Sequence, residues 1–252
     1  MQAIIWREIK LHYTKVYWLI SNFTPPLFYL LFFGFLFSSA IPRIGIDDKT
    51  LSYLHFFIPG LVIMQSFFVL SYTLALVNLD RRTKIIEMIH ATSTNFYEYF
   101  IGRVLSVQFL AFMKILLLLL VADFFLKFPM TPFLSLMLVI GVFLISNLMW
   151  FNIGFVLGLL IKTEDVRDIV LQFLTLPITF LSNIYYPVNN IHGVMKVIID
   201  INPLTHATNL IRPALLGTNT LNFQSVNILL VYCILTTMLV YFFINRWRTF
   251  QE

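Results

Sequence analysis

Six long apolar runs, near residues 23–41, 57–79, 104–126, 133–161, 168–186 and 226–245, constrain this chain more than any other feature. A helix rising ~1.5 Å per residue needs about 20 apolar residues to cross a hydrocarbon layer of ~30 Å. Each run is long enough to do so. Lipid supplies no hydrogen-bond partners, so every run must satisfy its own backbone, which makes it a helix. The fourth run is the longest, which implies tilt or an entry turn that does not span. What remains of the 252 residues is divided among connections too small for a separate catalytic domain of ordinary size. Composition agrees: 59% of residues are hydrophobic and 12% charged, against about 45–50% and about 25% in soluble domains. A soluble enzyme does not fit. The lone cysteine, Cys233, lies in an apolar run and excludes an intrachain disulfide framework or a Cys-based metal cluster.

Ahead of the first run, Ile5, Ile9, Tyr13, Val16, Tyr17 and Ile20 share one helical face, with Arg7, Lys10 and Thr14 opposite. With Trp6 and Trp18 nearby, residues 1–22 read as a basic amphipathic helix lying in the headgroup plane. The other reading is a single bent helix that continues into the first span and breaks at Pro25-Pro26. Ser38-Ser39-Ala40 resembles a signal-peptide cleavage site, but the amphipathic segment before it and five further spans after it favour an uncleaved span.

The net charge of +5 could suit nucleic acid or an anionic membrane, but the basic residues are scattered between apolar runs, which fits the membrane. With the N-terminus inside, the cytoplasmic connections hold Arg7, Lys10, Lys15, Arg81, Arg82, Lys84, Arg103, Lys162, Arg167, Arg246 and Arg248. The outer side holds Arg43, Lys49, Lys127, Lys196 and Arg212. Positive charge therefore predicts both termini in the cytoplasm. The chain reads as one all-α transmembrane domain, 1–252. Spans one to five cover 23–186, an outer segment covers 187–225, and span six with a cytoplasmic tail covers 226–252. Pro187, Pro203 and Pro213 divide the outer segment into short helices near 191–200 and 204–216, which lie on or dip into the outer leaflet.

Intrinsic energy chemistry is missing. None of the nine glycines is followed by Lys, so there is no Walker A loop, and the five histidines form no H-E-x-x-H pair. No serine sits in a G-x-S-x-G elbow. Within the spans, Lys114 is the charge to explain. It serves a translocation path or a subunit contact, or it snorkels to the interface. Asp123 lies on the opposite side of the same helix and cannot pair with it. Gly154 and Gly158 form a small-xxx-small face suited to internal packing or to a dimer contact. Most of the aromatic surplus, which includes 27 Phe, fits lipid-facing packing and interface belts. The 80–103 connection places Arg81, Arg82 and Lys84 at the membrane surface. Ile85, Ile86, Met88 and Ile89 follow around Glu87, a short amphipathic helix that could dock a partner or lie on lipid.

Several features then coincide in order. Phe57-Ile58-Pro59-Gly60-Leu61-Val62 opens the second span, and Gly102-Arg103 opens the third. Lys162-Thr163-Glu164-Asp165 follows the fourth, and Pro177 lies in the fifth. Ser182-Asn183-Ile184-Tyr185-Tyr186-Pro187 leads on to Asn202-Pro203-Leu204-Thr205-His206, Arg212 and Leu216-Gly217. In these features the chain resembles the permease subunit of type-2 ABC exporters, the family of bacterial drug, lipid, polysaccharide and nodulation-factor exporters. Lys84 stands where that family often has Gly, and Thr92 or Thr94 where it commonly has Pro.

The resemblance implies a six-span subunit working as a homodimer, or a pseudo-symmetric heterodimer, in the inner membrane. Two copies of a separate ABC ATPase would hold the ATP and magnesium, and this chain would carry no cofactor. It implies a coupling helix near 84–92, with Arg82, Lys84, Ile85, Glu87, Met88, Ile89, Glu164 and Asp165 at the ATPase contact. It implies re-entrant outer helices over 188–217. A pathway at the dimer interface would involve Phe28, Phe32, Tyr72, Lys114, Thr175, Thr179 and Asn183. The apolar character of these residues suits a drug or lipid-like substrate; a lipid-linked glycan is the other option within the family. An ion-coupled secondary transporter and a non-transporting assembly factor are the alternatives of other classes.

Overall fold

The computed structural model describes residues 24–32, 36, 43–46, 49–91, 96–126, 133–188, 191–217 and 222–249. The amphipathic helix expected over 1–22, and most of the rest of the first run, lie outside the described residues; 24–32 are helical. A short antiparallel hairpin comes next, β1 (Arg43–Ile46) against β2 (Lys49–Ser52), with Arg43 opposite Ser52. Eight helices follow: α1 (Tyr53–Arg82), α2 (Ile85–Ala91), α3 (Phe96–Leu126), α4 (Phe133–Leu160), α5 (Glu164–Phe180), α6 (Val194–Ile201), α7 (Pro203–Leu216) and α8 (Phe223–Thr249).

Four of these are long and apolar enough to cross a membrane, over Tyr53–Arg82, Phe96–Phe124, Phe133–Leu160 and Phe223–Arg246. They carry the second, third, fourth and sixth runs. The fifth run is different. Helix α5 starts at Glu164 and stops at Phe180, 17 residues in all. Pro177 has no amide to donate within it, and the Ser182-Asn183 turn that follows takes the chain out of helical geometry.

Helix α1 is the centre of the bundle, with 20 of its 30 residues buried, so it is apolar on every side rather than along one stripe. It packs most extensively against α4, and α7, α3 and α8 close around that pair. Gly154 and Gly158 settle how α4 approaches. A Cβ on Gly154 would lie 2.5 Å from the Leu70 carbonyl oxygen, and one on Gly158 would lie 2.6 Å from the Val77 Cβ. The small-residue face is therefore spent on internal packing against α1. Phe67 meets the Trp150 ring edge-on at 4.8 Å, and Ser66 and Ser146 share a hydrogen bond of 2.8 Å across the same seam. Asn152 donates to Thr237 of α8 at 3.0 Å, tying the third member of the layer.

The helices alternate in direction, so the bundle has two chemically distinct ends. The C-terminal ends of α1, α4 and α8 gather at one end with the N-terminal ends of α3 and α5. Tyr97 donating to Asn245 at 2.6 Å and Arg82 paired with Glu164 mark this end. The opposite end holds the start of α1, the 181–188 turn and the two short helices. Helix α6 is exposed on most sides, with Val194, Met195, Val197 and Ile201 all open. Helix α7 is the reverse: Leu204, Thr205, Ala207, Thr208, Leu210 and Ile211 are buried among α1, α4 and α8. The Asn202 side chain caps α7 by accepting from the Leu204 amide at 2.9 Å, with Pro203 at the first helical position.

Candidate functional site: the α1–α2–α3 elbow

At the basic end, α1 turns into α2 through Thr83 and Lys84. Thr83 donates from its hydroxyl to the Leu79 carbonyl at 2.9 Å, closing the last turn of α1. Lys84 takes φ of 56°, the left-handed conformation, which side chains other than Gly adopt at a cost of about 1–2 kcal/mol. That geometry explains why the resemblance expects a glycine at this position. The seven-residue α2 then splits its apolar side chains. Ile86 is buried at 3% exposure, and Ile89 is packed half-buried against the same cluster of Val77, Phe96, Tyr99 and Phe155. Glu87 and Met88 are exposed, as are Arg82 and Lys84, and Ile85 is half-buried. The face turned away from the bundle is therefore mixed in charge, with Met88 at its apolar centre.

Beneath α2 lies a buried ion pair. Asp80, at the end of α1, bonds Arg103 of α3, and their side chains are 0% and 2% exposed. Tyr99 donates its hydroxyl to the same Asp80 carboxylate oxygen at 2.6 Å, and the Arg103 guanidinium stands 5.7 Å from the Tyr99 ring centre. Next to Asp80, Arg81 donates to the carbonyls of Gly158, Leu159 and Ile161 at 3.3, 3.0 and 3.3 Å. These are acceptors left open at and just beyond the end of α4, where the helix dipole favours a cation. On the surface, Arg82 pairs with Glu164 at 2.5 Å, linking the elbow to the start of α5. Arg167 donates to Asp168 at 2.8 Å, and this bond raises the Arg167 pKa above its ordinary value. Asp165 is exposed beside them. Five helices, α1 to α5, thus converge on one elbow.

Of the residues expected at the ATPase contact, Arg82, Lys84, Ile85, Glu87, Met88, Ile89, Glu164 and Asp165, the structure brings Arg82 and Glu164 together and leaves Lys84, Glu87, Met88 and Asp165 on the surface. The brace of Asp80, Tyr99 and Arg103 is not among the expected residues. The available signal was an acid at the end of one apolar run facing Gly102-Arg103 at the start of the next.

The residues named for a pathway fall into three places. Phe28 and Phe32 stack at 5.4 Å between ring centres, both about half exposed, on one surface of the chain. Lys114 of α3 holds its ammonium 5.8 Å from the Tyr72 ring centre of α1, a cation–π approach that supplies the charge with a partner inside the bundle. Thr175 is half-buried in α5, and Thr179 and Asn183 are buried near the opposite end. There, Asn183 donates to the Asn209 side-chain oxygen at 2.5 Å, and Gly60 leaves room for the Ile184 backbone, 3.0 Å from where its Cβ would be.

An apolar helical bundle with a braced elbow at its basic end is a multi-pass membrane protein. The model of the family described as ABC-2 type transporter (ABC2_membrane) matches residues 1–216, and the chain belongs to that family of ABC transporter permeases. It is similar to a candidate transport permease, ycf38, of Cyanophora paradoxa, 29% identical over 200 residues, 77% of this chain and 66% of that protein. It is also similar to DrrB1, a daunorubicin resistance ABC transporter permease protein of Streptomyces coeruleorubidus, 25% identical over 227 residues. That alignment covers 85% of this chain and 74% of DrrB1.

Proposed function

We propose that the chain is the membrane-spanning permease subunit of an ATP-driven exporter in the inner membrane, working with a second permease copy and two separate ATPase subunits. The family match over residues 1–216 carries this reading. In it, 1–252 form one permease domain of six spans, the helical 24–32 belonging to the first and α5 to the fifth, with α6 and α7 as re-entrant outer helices. The clustering of Arg81, Arg82, Lys84, Arg103, Lys162 and Arg167 at one end supports a cytoplasmic elbow and cytoplasmic termini.

ATP and magnesium would be bound by the partner ATPases, and hydrolysis would occur there. Helix α2 would seat in a groove of the ATPase, with Glu87 and Met88 meeting it directly and Arg82, Lys84, Ile85, Ile89, Glu164 and Asp165 around them. The braces beneath α2 give this proposal its mechanics. A force on α2 cannot be absorbed by bending the elbow while Asp80, Tyr99 and Arg103 hold α1 to α3 and Arg81 holds α1 to α4. The push would pass into the spans as a rigid-body tilt, opening a route between the two permease copies by alternating access. Phe28, Phe32, Tyr72, Lys114, Thr175, Thr179 and Asn183 would line or flank that route. The exposed Phe28–Phe32 pair favours an amphipathic or drug-like substrate over a polar glycan, in keeping with the relative named for daunorubicin resistance.

Glu87→Ala tests the coupling role. Loss of a charged interface contact worth about 1.5–3 kcal/mol should cut transport and substrate-stimulated ATP hydrolysis roughly tenfold or more, with membrane insertion unchanged. Normal transport and normal stimulated hydrolysis in that variant would sink the assignment.

A further inference from the structure

Arg212 is a buried charge with no ion-pair partner among the described residues. It is 8% exposed, in a helix otherwise buried against apolar neighbours. Its Nε donates to the Phe56 carbonyl at 3.4 Å and one Nη to the Asn183 carbonyl at 2.8 Å. The guanidinium centre lies 3.9 Å from the Phe56 ring centroid. No carboxylate among the described residues pairs with it. A guanidinium has five N–H donors, so two neutral carbonyls and a ring face leave most of its hydrogen-bonding capacity unused and its charge without a counter-ion. Burying a cation in such surroundings is unfavourable unless an anion or strong acceptors meet it.

The neighbouring polar atoms point the same way. Thr205, Asn209 and Arg212 follow an i, i+4, i+7 spacing and so share one face of α7. Thr205 is 2% exposed and its hydroxyl has no partner. Asn209 is held by the Asn183 amide at 2.5 Å, while the Asn183 side-chain oxygen is buried without a donor. The strip thus offers a charge, spare N–H groups and a free hydroxyl, plus one acceptor that could take a ligand hydroxyl.

We infer that Arg212, Thr205 and Asn209, with Asn183, form a seat for an anionic group, a phosphate or carboxylate, at the end of the bundle away from the α2 elbow. The low-dielectric surroundings strengthen such an ion pair. This deepens the exporter reading and rests on it, because the seat would take the charged head of an amphiphile moving along that route. The same chemistry could come from the headgroup of a membrane lipid.

The test is made on the full-length chain without ATPase or nucleotide, so its outcome is independent of the coupling experiment. Thermal unfolding is followed with dodecyl phosphate added from solution, and separately in phosphatidylcholine nanodiscs with and without phosphatidylglycerol. A stabilising shift of several degrees is expected with at least one probe. A shift with dodecyl phosphate alone assigns the seat to a free amphiphile, one with phosphatidylglycerol alone to a bilayer lipid, and one with both to either source. Arg212→Gln should abolish the shift, and Thr205→Val should weaken binding about tenfold through loss of one hydrogen bond to a charged group. Thr205→Val removes only the hydroxyl, so it decides the matter if Arg212→Gln fails to fold. No shift with either probe, or an undiminished shift in Thr205→Val, would overturn the inference.

Discussion

Gly154 and Gly141 are both helix-interior glycines of α4, yet they should respond oppositely to the same substitution. A methyl on Gly154 would meet the Leu70 carbonyl oxygen at 2.5 Å, where backbone cannot give way without separating α1 from α4. Gly141 has nothing within 4 Å of its would-be Cβ. Gly154→Ala should therefore cost about 1–3 kcal/mol through overpacking, while Gly141→Ala should gain up to about 1 kcal/mol from helix propensity. Unfolding of the purified variants in mixed detergent measures both, and equal responses would mean the seam is not tightly packed. The spacing of Gly154 and Gly158 was legible in the sequence, but the helix they face was not. Lys84 is a further case of this kind. Its departure from the family pattern was visible, and only the φ of 56° gives the physical reason a glycine suits that position.

Among the elements, the elbow of α1, α2 and α3 is held by charge rather than by the length of its helix. Seven residues of α2 make too few backbone hydrogen bonds to stand alone in water, since helices shorter than about 12–15 residues are marginal there. Its order comes from Ile86 in the apolar cluster and from the Asp80–Arg103 pair below. Removing one member of a buried pair strands the other, so Asp80→Ala should destabilise by about 3–5 kcal/mol. Asp80→Leu combined with Arg103→Met should recover much of that loss, because no buried charge is then left alone. Stability of the single and double variants gives the coupling directly, and additive losses would show that the pair does not act as a unit. If the brace transmits force to the spans, the stable double variant should also couple ATP hydrolysis to transport less tightly than the parent.

For the molecule as a whole, the two ends of the bundle should face opposite compartments. Cys233 is the only cysteine, so a Cys233→Ser background permits labelling at single introduced sites. His192 and Lys162 are both exposed, at the outer-segment end and the elbow end respectively. A membrane-impermeant maleimide applied to intact cells should modify His192→Cys and spare Lys162→Cys; the reverse pattern would invert the orientation. The exposed apolar face of α5, with Ile169, Phe173 and Leu176 open, touches little beyond α1 among the described residues.

What the sequence determined by itself is what composition and periodicity can carry. A run of apolar residues must be a helix in lipid wherever its neighbours lie, so four of the six runs reappear as span-length helices near their expected bounds. The distribution of Lys and Arg likewise divided the connections into two groups, and in the structure the elbow's basic residues do cluster at one end. Everything that depends on two distant segments meeting was left to the tertiary structure. Asp80 and Arg103 are 23 residues apart, and Arg212 reaches a carbonyl 156 positions earlier in the chain. No local pattern encodes such pairings, because a buried charge takes its partner from whichever helix end the packing brings within a few ångströms. The same holds for α7: the stretch near 204–216 reads as a short helix on or dipping into the outer leaflet, and only its neighbours α1, α4 and α8 show how much of it is buried.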